Sequence, residues 1–303
     1  DSNHTYGTMF VLLGLTNIPY LQALSIFTLL IIYVITLSGN MILLIVVRIN
    51  KQLQTPMYFF LRNLSVIDVC FSSTIIPKLL ITTLSTDRSV SEVECALQMY
   101  FHLALGGTES VLLTIMSYDR FTAICKPLYY SSIMNRRYCI SLAVVCWTGG
   151  FLNSIVHVVL TFQLPFCRSH QLDHFFCEEP PLLKLSCQDT WPNVVAVYVS
   201  AFVIGICTFS LTLFSYLHII LTILKIRSTH RRKVFSTCAS HLTAVFLFYG
   251  TIFSIYLQPS FTSSIETNKS VSLIYTTLIP MLNPIIYSIR NKDITNTIKR
   301  ILK

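Results

Sequence analysis

Apolar positions along the chain gather into seven long runs, at about 23–47, 57–82, 95–120, 138–163, 194–224, 234–257 and 271–289. Each has or approaches the ~20 residues that carry a helix across ~30 Å of hydrocarbon. Only helices and closed barrels satisfy their backbone groups in lipid, and these runs lack the alternation of barrel strands. The pattern therefore predicts an all-α chain, a single seven-transmembrane helix bundle over residues 1–303. A final stretch, about 291–302, sets Ile294, Ile298 and Ile301 on one side and Lys292, Lys299 and Arg300 on the other. That arrangement predicts a short amphipathic C-terminal surface helix. No half of the chain repeats the other, which weighs against a carrier built from duplicated halves.

Composition agrees with this pattern, and charge gives it a direction. The chain is 53% hydrophobic and 12% charged, against a charged share of about 25% in soluble domains. Arg48, Lys51, Lys126, Arg136, Arg137, Lys225, Arg231, Arg232 and Lys233 fall in the gaps on one side of the bundle. Most acids, including Asp87, Glu92, Glu94, Asp173, Glu178 and Glu179, fall on the other. By the positive-inside rule the chain is expected in the plasma membrane with its N-terminus extracellular and its C-terminus cytoplasmic. The net charge of +9 then reflects topology beside anionic lipid. It does not point to nucleic acid, because the basic residues are scattered over separate short segments. No cleavable signal peptide is expected, since the first apolar run is long enough to remain as an anchor. Asn3-His4-Thr5 is a sequon on the outer side and predicts glycosylation at Asn3. Cys95, Cys167, Cys177 and Cys187 also fall outside, where disulfides persist, and four cysteines allow three pairings.

Charges inside the apolar runs carry the candidate chemistry. Glu109, Asp119 and Arg120 lie in the third run and Asp68 in the second. Eleven residues at ~100° per residue come within ~20° of three full turns, so Glu109 and Arg120 share a helix face, ~16 Å apart along the axis. His102 and Gly106 lie on the same stripe. Such groups should face a bundle interior or water. Asp68 and Glu109 sit at similar depth, and two bare carboxylates cannot approach each other in low dielectric without a cation or a shared proton. Asn40 and Asn283 could add neutral oxygen ligands, so Asp68, Glu109, Asn40 and Asn283 form a candidate sodium site. The plainer alternative is a protonated, hydrogen-bonded pair that only ties helices together. Asp119-Arg120, taken alone, marks the cytoplasmic end of a helix.

The motifs "GN" at 39–40, "TPMYFFLRNLSVID" at 55–68, "MSYDRFTAICKPLYY" at 116–130, "SY" at 215–216, "KVFSTCASHL" at 233–242 and "PMLNPIIYSIRNK" at 280–292 occur in this order. Together they resemble a rhodopsin-like G-protein-coupled receptor, specifically an olfactory receptor of the class II, tetrapod-type branch. The resemblance covers nearly all of 8–293. It implies that Arg120 engages a G protein when active and pairs with Asp119 at rest. Tyr216, His241 and Tyr287 would rearrange around it, while Asn283 and Pro284 let the seventh span bend. It also implies disulfides Cys95–Cys177 and Cys167–Cys187. Phe121 stands where the family usually has Tyr, and Gln54 where it often has His. Neither departure removes a charge.

On that reading a cavity lies between the outer halves of spans three, five, six and seven, under the outer loop. Helical phase assigns His102, Leu103, Gly106, Gly107, Ser200, Ile204, Tyr249, Ile252, Tyr256 and Thr276 to its lining. The set is largely apolar, with no carboxylate to pair an amine. It predicts weak binding of small, neutral, volatile odorants and activation of a stimulatory, olfactory-type G protein that raises cyclic AMP. The alternative is a membrane carrier that couples cations or protons through Asp68 and Glu109. An intramembrane enzyme is disfavoured, because no paired-histidine zinc motif or nucleophile elbow is present.

Overall fold

The computed structural model describes residues 9–16, 18–85, 87–167, 170–225, 228–256, 265–289 and 292–301. Asn3, the expected glycosylation site, lies outside them. Seven long helices form the bundle. They are α1 (Pro19–Ile49), α2 (Pro56–Leu84), α3 (Glu92–Cys125), α4 (Arg136–Phe162), α5 (Trp191–Lys225), α6 (Ser228–Tyr256) and α7, which runs from Ile265–Leu273 through Ile274–Leu278 to Ile279–Ile289. Six of them are long and apolar enough to cross a membrane. The seventh is α3, which carries Glu109, Asp119 and Arg120 and lies at the centre of the bundle with these groups turned inward. Large apolar side chains such as Phe27, Val34, Leu152 and Phe202 cover the outward faces, as the absence of water there requires. The chain is a multi-pass membrane protein.

Local chemistry sets the helix ends. Proline opens α1 and α2, where its missing N–H costs nothing. A capping box of Ser91 and Glu94 starts α3, and Asn135 Oδ1 accepts from the Tyr138 N–H at 3.0 Å to start α4. The short α8 (Lys292–Ile301) closes the chain. Its Ile294 is buried and Ile298 packs on the core, while Lys299 and Arg300 are exposed. Asn50 Nδ2 donates to Thr297 Oγ1 at 2.8 Å and ties α8 to the end of α1.

The α3–α4 seam is built from small residues. On α4 the buried face is Cys139, Ala143, Cys146, Gly150, Ser154, His157 and Thr161, spaced by three and four as one helix face requires. Small side chains let the backbones approach and exchange hydrogen bonds. Cys146 Sγ donates to Thr108 O at 3.0 Å and Ser154 Oγ to Tyr100 O at 2.6 Å.

Two helices depart from α geometry in their outer halves. Ala201–Cys207 of α5 and Ile274–Leu278 of α7 are π-helical. Such turns insert an extra residue and rotate the rest of the helix about its axis, and they occur often at functional sites.

The outer end holds a small sheet in the order β2-β1-β3. Strand β1 (Met9–Leu12) runs antiparallel to β2 (Ser89–Ser91) and parallel to β3 (Gln171–Leu172). Phe10 and Leu12 are fully buried while Met9 and Val11 are exposed, the period-two pattern of a half-buried strand. Cys95 is bonded to Cys177 and Cys167 to Cys187. The first bond fixes the outer loop to α3 across 82 residues of sequence. Cys177→Ala is expected to cost about 4 kcal/mol, from the added freedom of a loop this long in the unfolded chain. The protein's thermal midpoint and surface expression should both fall, and unchanged values of both would refute this.

Candidate ligand pocket and cytoplasmic switch

Three polar layers are stacked along α3. The outer layer is a cavity of about 100 Å³. His102, Leu103, Gly106 and Gly107 of α3, Ser200 and Ile204 of α5, and Ile252 of α6 line it. A side chain at position 106 would run into the Tyr275 hydroxyl, so glycine there is what lets Tyr275 reach the cavity. His102 is packed among the rings of Phe71, Phe176 and Tyr275 at 5.1, 4.8 and 5.8 Å. Its Nδ1 is buried and, among the described residues, has no hydrogen-bond partner.

Two of the expected lining residues lie elsewhere. Tyr249 is buried beneath the cavity, donating to Thr208 Oγ1 at 2.8 Å and lying 3.1 Å from Ser110 Oγ. Thr276 is buried with its hydroxyl on Ser272 O at 2.8 Å, and its neighbour Tyr275 lines the cavity instead. The side chain of Tyr256 lies outside the described residues.

The wall that sequence reasoning missed is polar and belongs to α4 and the outer loop. Asn153, His157 and Glu179 line the cavity with Ser200, which corrects the expectation that span four takes no part and that no carboxylate is present. The close α3–α4 seam brings α4 into the wall. Glu179 opens a short helical turn, Glu179–Leu183, that inserts between the helices and leaves it 2% exposed. Its Oε2 lies 2.8 Å from His157 Nδ1, close but not aligned as a hydrogen bond. His157 Nε2 lies 2.8 Å from Ser200 Oγ, and Ser200 donates to Asn153 Oδ1 at 2.8 Å. The sequence signal was there: Asn153 and His157 stand four apart, on one face of an apolar helix.

Above the cavity, burial and the nearby Lys269 ammonium push the His174 imidazole down to about 3. The neutral ring stacks on Phe175 and meets Phe176 edge-on. Glu178 Oε2 is 3.3 Å from His174 Nε2, yet the two are not aligned as a hydrogen bond. Cys177 is held in its disulfide and supplies no thiolate. Among the described residues no cluster of three His, Cys, Asp or Glu side chains could hold a metal ion.

The middle layer joins Asp68, Glu109 and Asn283. Asn283 Nδ2 donates to Asp68 Oδ1 at 3.0 Å and to Glu109 Oε1 at 3.4 Å. Asn40 Nδ2 donates to Thr36 O and Pro280 O at 3.0 and 3.2 Å. Asp68 Oδ2 and Asn40 Oδ1 are buried and, among the described residues, have no hydrogen-bond partner.

The inner layer is the Asp119-Arg120 pair. Arg120 Nε and Nη2 both donate to Asp119 Oδ2, at 3.0 and 2.5 Å. Tyr130, which the sequence did not single out, donates to the other carboxylate oxygen at 2.8 Å. Tyr216 OH and His241 Nδ1 lie 2.6 Å apart, buried between α5 and α6. The buried Tyr287 hydroxyl has no partner among the described residues. Pro284 lies within α7, close against Gly39 of α1, where an added Cβ would stand 3.2 Å from the proline ring.

Known proteins are similar in sequence to this chain over nearly its whole length. The olfactory receptor family profile matches residues 29–303. Olfactory receptor 5I1 of Homo sapiens is 46% identical, with 100% of this chain and 97% of the relative covered. Olfactory receptor-like protein OLF1 of Canis lupus familiaris is 46% identical over 100% and 98%. Olfactory receptor 5G9 of Mus musculus is 44% identical over 99% and 96%. A seven-helix bundle that matches this family along its length, with the family's motifs on the inner faces of its helices, belongs to the olfactory receptors, a family of rhodopsin-like G-protein-coupled receptors.

Proposed function

We infer that this chain is an odorant receptor. A small, mostly apolar volatile molecule enters the outer cavity and stabilises the active conformation, which promotes nucleotide exchange on a stimulatory, olfactory-type G protein and raises cyclic AMP. Its N-terminus lies outside and its C-terminus in the cytoplasm, as the distribution of Lys and Arg requires. The observation that carries the reading is α3 itself, one helix on which cavity residues, the buried carboxylate Glu109 and the Asp119-Arg120 pair succeed each other inward. Arg120 paired with Asp119 is the resting arrangement. Outward movement of α6 frees Arg120 for the G protein, with Tyr216, His241 and Tyr287 regrouping around it and Asn283-Pro284 absorbing the bend in α7.

Apolar burial dominates affinity. A ligand covering ~200 Å² gains roughly 5 kcal/mol at ~25 cal/mol/Å² before the cost of immobilising it, which makes binding micromolar or weaker. The test is cyclic AMP in cells that co-express the stimulatory G protein, screened against volatile odorants. At least one neutral compound should give a dose-dependent rise. Silence across the panel with receptor at the surface would refute the reading.

The middle layer fits a sodium ion. The unpartnered oxygens of Asp68 and Asn40, with the Glu109 carboxylate, are the hard oxygen donors such a cation takes. Bound there, it would offset one of the two carboxylate charges and hold α2, α3 and α7 in the resting arrangement. Sodium in place of choline should therefore lower basal cyclic AMP and raise stability, by about 1.4 kcal/mol at tenfold excess over its dissociation constant. Asp68→Asn should remove both effects. A wild-type receptor indifferent to sodium would leave the hydrogen-bonded pair as the correct account.

A further inference from the structure

The polar wall of the cavity goes beyond the assignment of an odorant pocket, because its hydrogen bonds determine which ligands it can hold. Ser200 gives its proton to Asn153 Oδ1, so toward His157 Nε2, 2.8 Å away, Ser200 can only accept. His157 therefore carries a proton on Nε2. Its Nδ1 lies 2.8 Å from Glu179 Oε2, at ion-pair distance though not aligned as a hydrogen bond. The other Glu179 oxygen, Oε1, accepts from Thr161 Oγ1 at 3.4 Å, so the carboxylate is engaged within the wall on both oxygens.

Among the described residues the cavity therefore offers no free carboxylate for an ammonium ligand, and no Lys or Arg side chain lines it to hold a carboxylate ligand. A polar group left over beside this chain is Asn153 Nδ2, which among the described residues donates to no protein acceptor. It lies against walls made apolar by Leu103, Ile204 and Ile252. Of the other polar groups nearby, Ser110 Oγ is bonded to Ile204 O at 2.6 Å and His102 Nδ1 is buried, while the Tyr275 hydroxyl stands beside Gly106 on the cavity wall.

We propose that the ligand is a neutral, oxygen-accepting compound, a ketone, aldehyde or ester, whose carbonyl oxygen is held by Asn153 Nδ2, with Glu179, His157 and Ser200 as the chain that positions that amide and keeps charged ligands out. The proposal rests on the odorant-receptor reading for the location of the ligand, not for its chemistry. His157 is a positioning residue whose removal should change ligand class, which a merely structural histidine would not do.

The test uses a straight-chain methyl ketone, primary amine, carboxylic acid and alkane of equal carbon number on the full receptor. Two readouts are taken, cyclic AMP in cells and thermal stabilisation of the purified receptor. The ketone should outperform the alkane roughly tenfold, the weight of one hydrogen bond in an apolar site. Asn153→Ala should erase that difference by lowering the ketone response toward that of the alkane. His157→Leu should leave Glu179 uncompensated and create a response to the amine, which a further Glu179→Gln change removes. His157→Gln serves the same purpose if His157→Leu fails to reach the surface.

Equal potency of ketone and alkane, or an amine response in the wild type, would overturn the proposal. So would an Asn153→Ala receptor that still prefers the ketone, or stabilisation by none of the probes. Stabilisation by the ketone with no cyclic AMP from any probe would instead refute the G-protein reading and leave this one standing.

Discussion

Arg120→Ala is expected to abolish odorant-evoked cyclic AMP, down to the level of cells without receptor, while the outer cavity still binds ligand. Arg120 lies some eleven residues along α3 beyond Glu109 and at the opposite end from the cavity, so its loss should not alter stabilisation by an odorant. What it removes is a guanidinium with two hydrogen bonds to Asp119 Oδ2 and a side chain 17% exposed, against 0% for Asp119. Only the arginine of the pair is placed to meet a partner from outside the bundle. The truncation also strands Asp119 in the interior with the Tyr130 hydroxyl still donating to it, and breaking a buried pair from one side commonly costs about 3–5 kcal/mol. Loss of signal could then reflect a poorly folded receptor. Arg120→Lys separates the two effects, because it restores the charge next to Asp119 but lacks the planar fork that makes two parallel bonds. It should recover surface expression and ligand stabilisation while evoked cyclic AMP stays at least about tenfold reduced, the equivalent of ~1.4 kcal/mol. An Arg120→Ala receptor that still signals to an odorant would overturn the mechanism.

The inner and middle layers were legible because they rest on straight α-helical stretches. Glu109 and Arg120 lie within one uninterrupted helix, Glu92–Cys125, where ~100° per residue holds. The outer layer was read less well, for identifiable reasons. Thr276 was assigned to the lining by α-helical phase, but Ile274–Leu278 is π-helical. The wider turn shifts the facing residue by one, and Tyr275 takes the place. Tyr249 was placed on the correct face but one turn too shallow. Asn153, His157 and Glu179 were overlooked because each has an ordinary explanation taken singly. Their meaning comes from tertiary contact, above all from a loop carboxylate brought against α4 by a fold that no local pattern encodes. Strand β1 is a similar case, since four residues of alternation are too few to stand out without β2 and β3 beside them.

The seam that brings α4 into the wall is itself open to test, through two adjacent glycines. A Cβ on Gly150 would collide with Thr108 Oγ1, and would stand 2.6 Å from Ala104 O and 2.9 Å from Thr108 N. Two of those three atoms are backbone and cannot rotate away, so Gly150→Ala must force α3 and α4 apart. Gly149, next in sequence, has nothing within 4 Å of the same added carbon. Both substitutions gain up to about 1 kcal/mol in helix propensity, so the propensity term cancels in the comparison. What remains is overpacking, typically about 1–3 kcal/mol and here toward the upper end because backbone must move. Gly149→Ala should express and respond like the wild type. Gly150→Ala should lose most of its surface expression, and the receptor that does reach the surface should respond weakly. Parting the seam breaks the bonds of Cys146 to Thr108 O and Ser154 to Tyr100 O and carries Asn153 and His157 away from the cavity. The loss of response should therefore exceed the loss of expression, and it should be larger for ligands that need Asn153 than for an alkane that does not. Equal behaviour of the two alanine variants would show that the helices have room to spare at this crossing, and that the small-residue seam does not set the position of the wall.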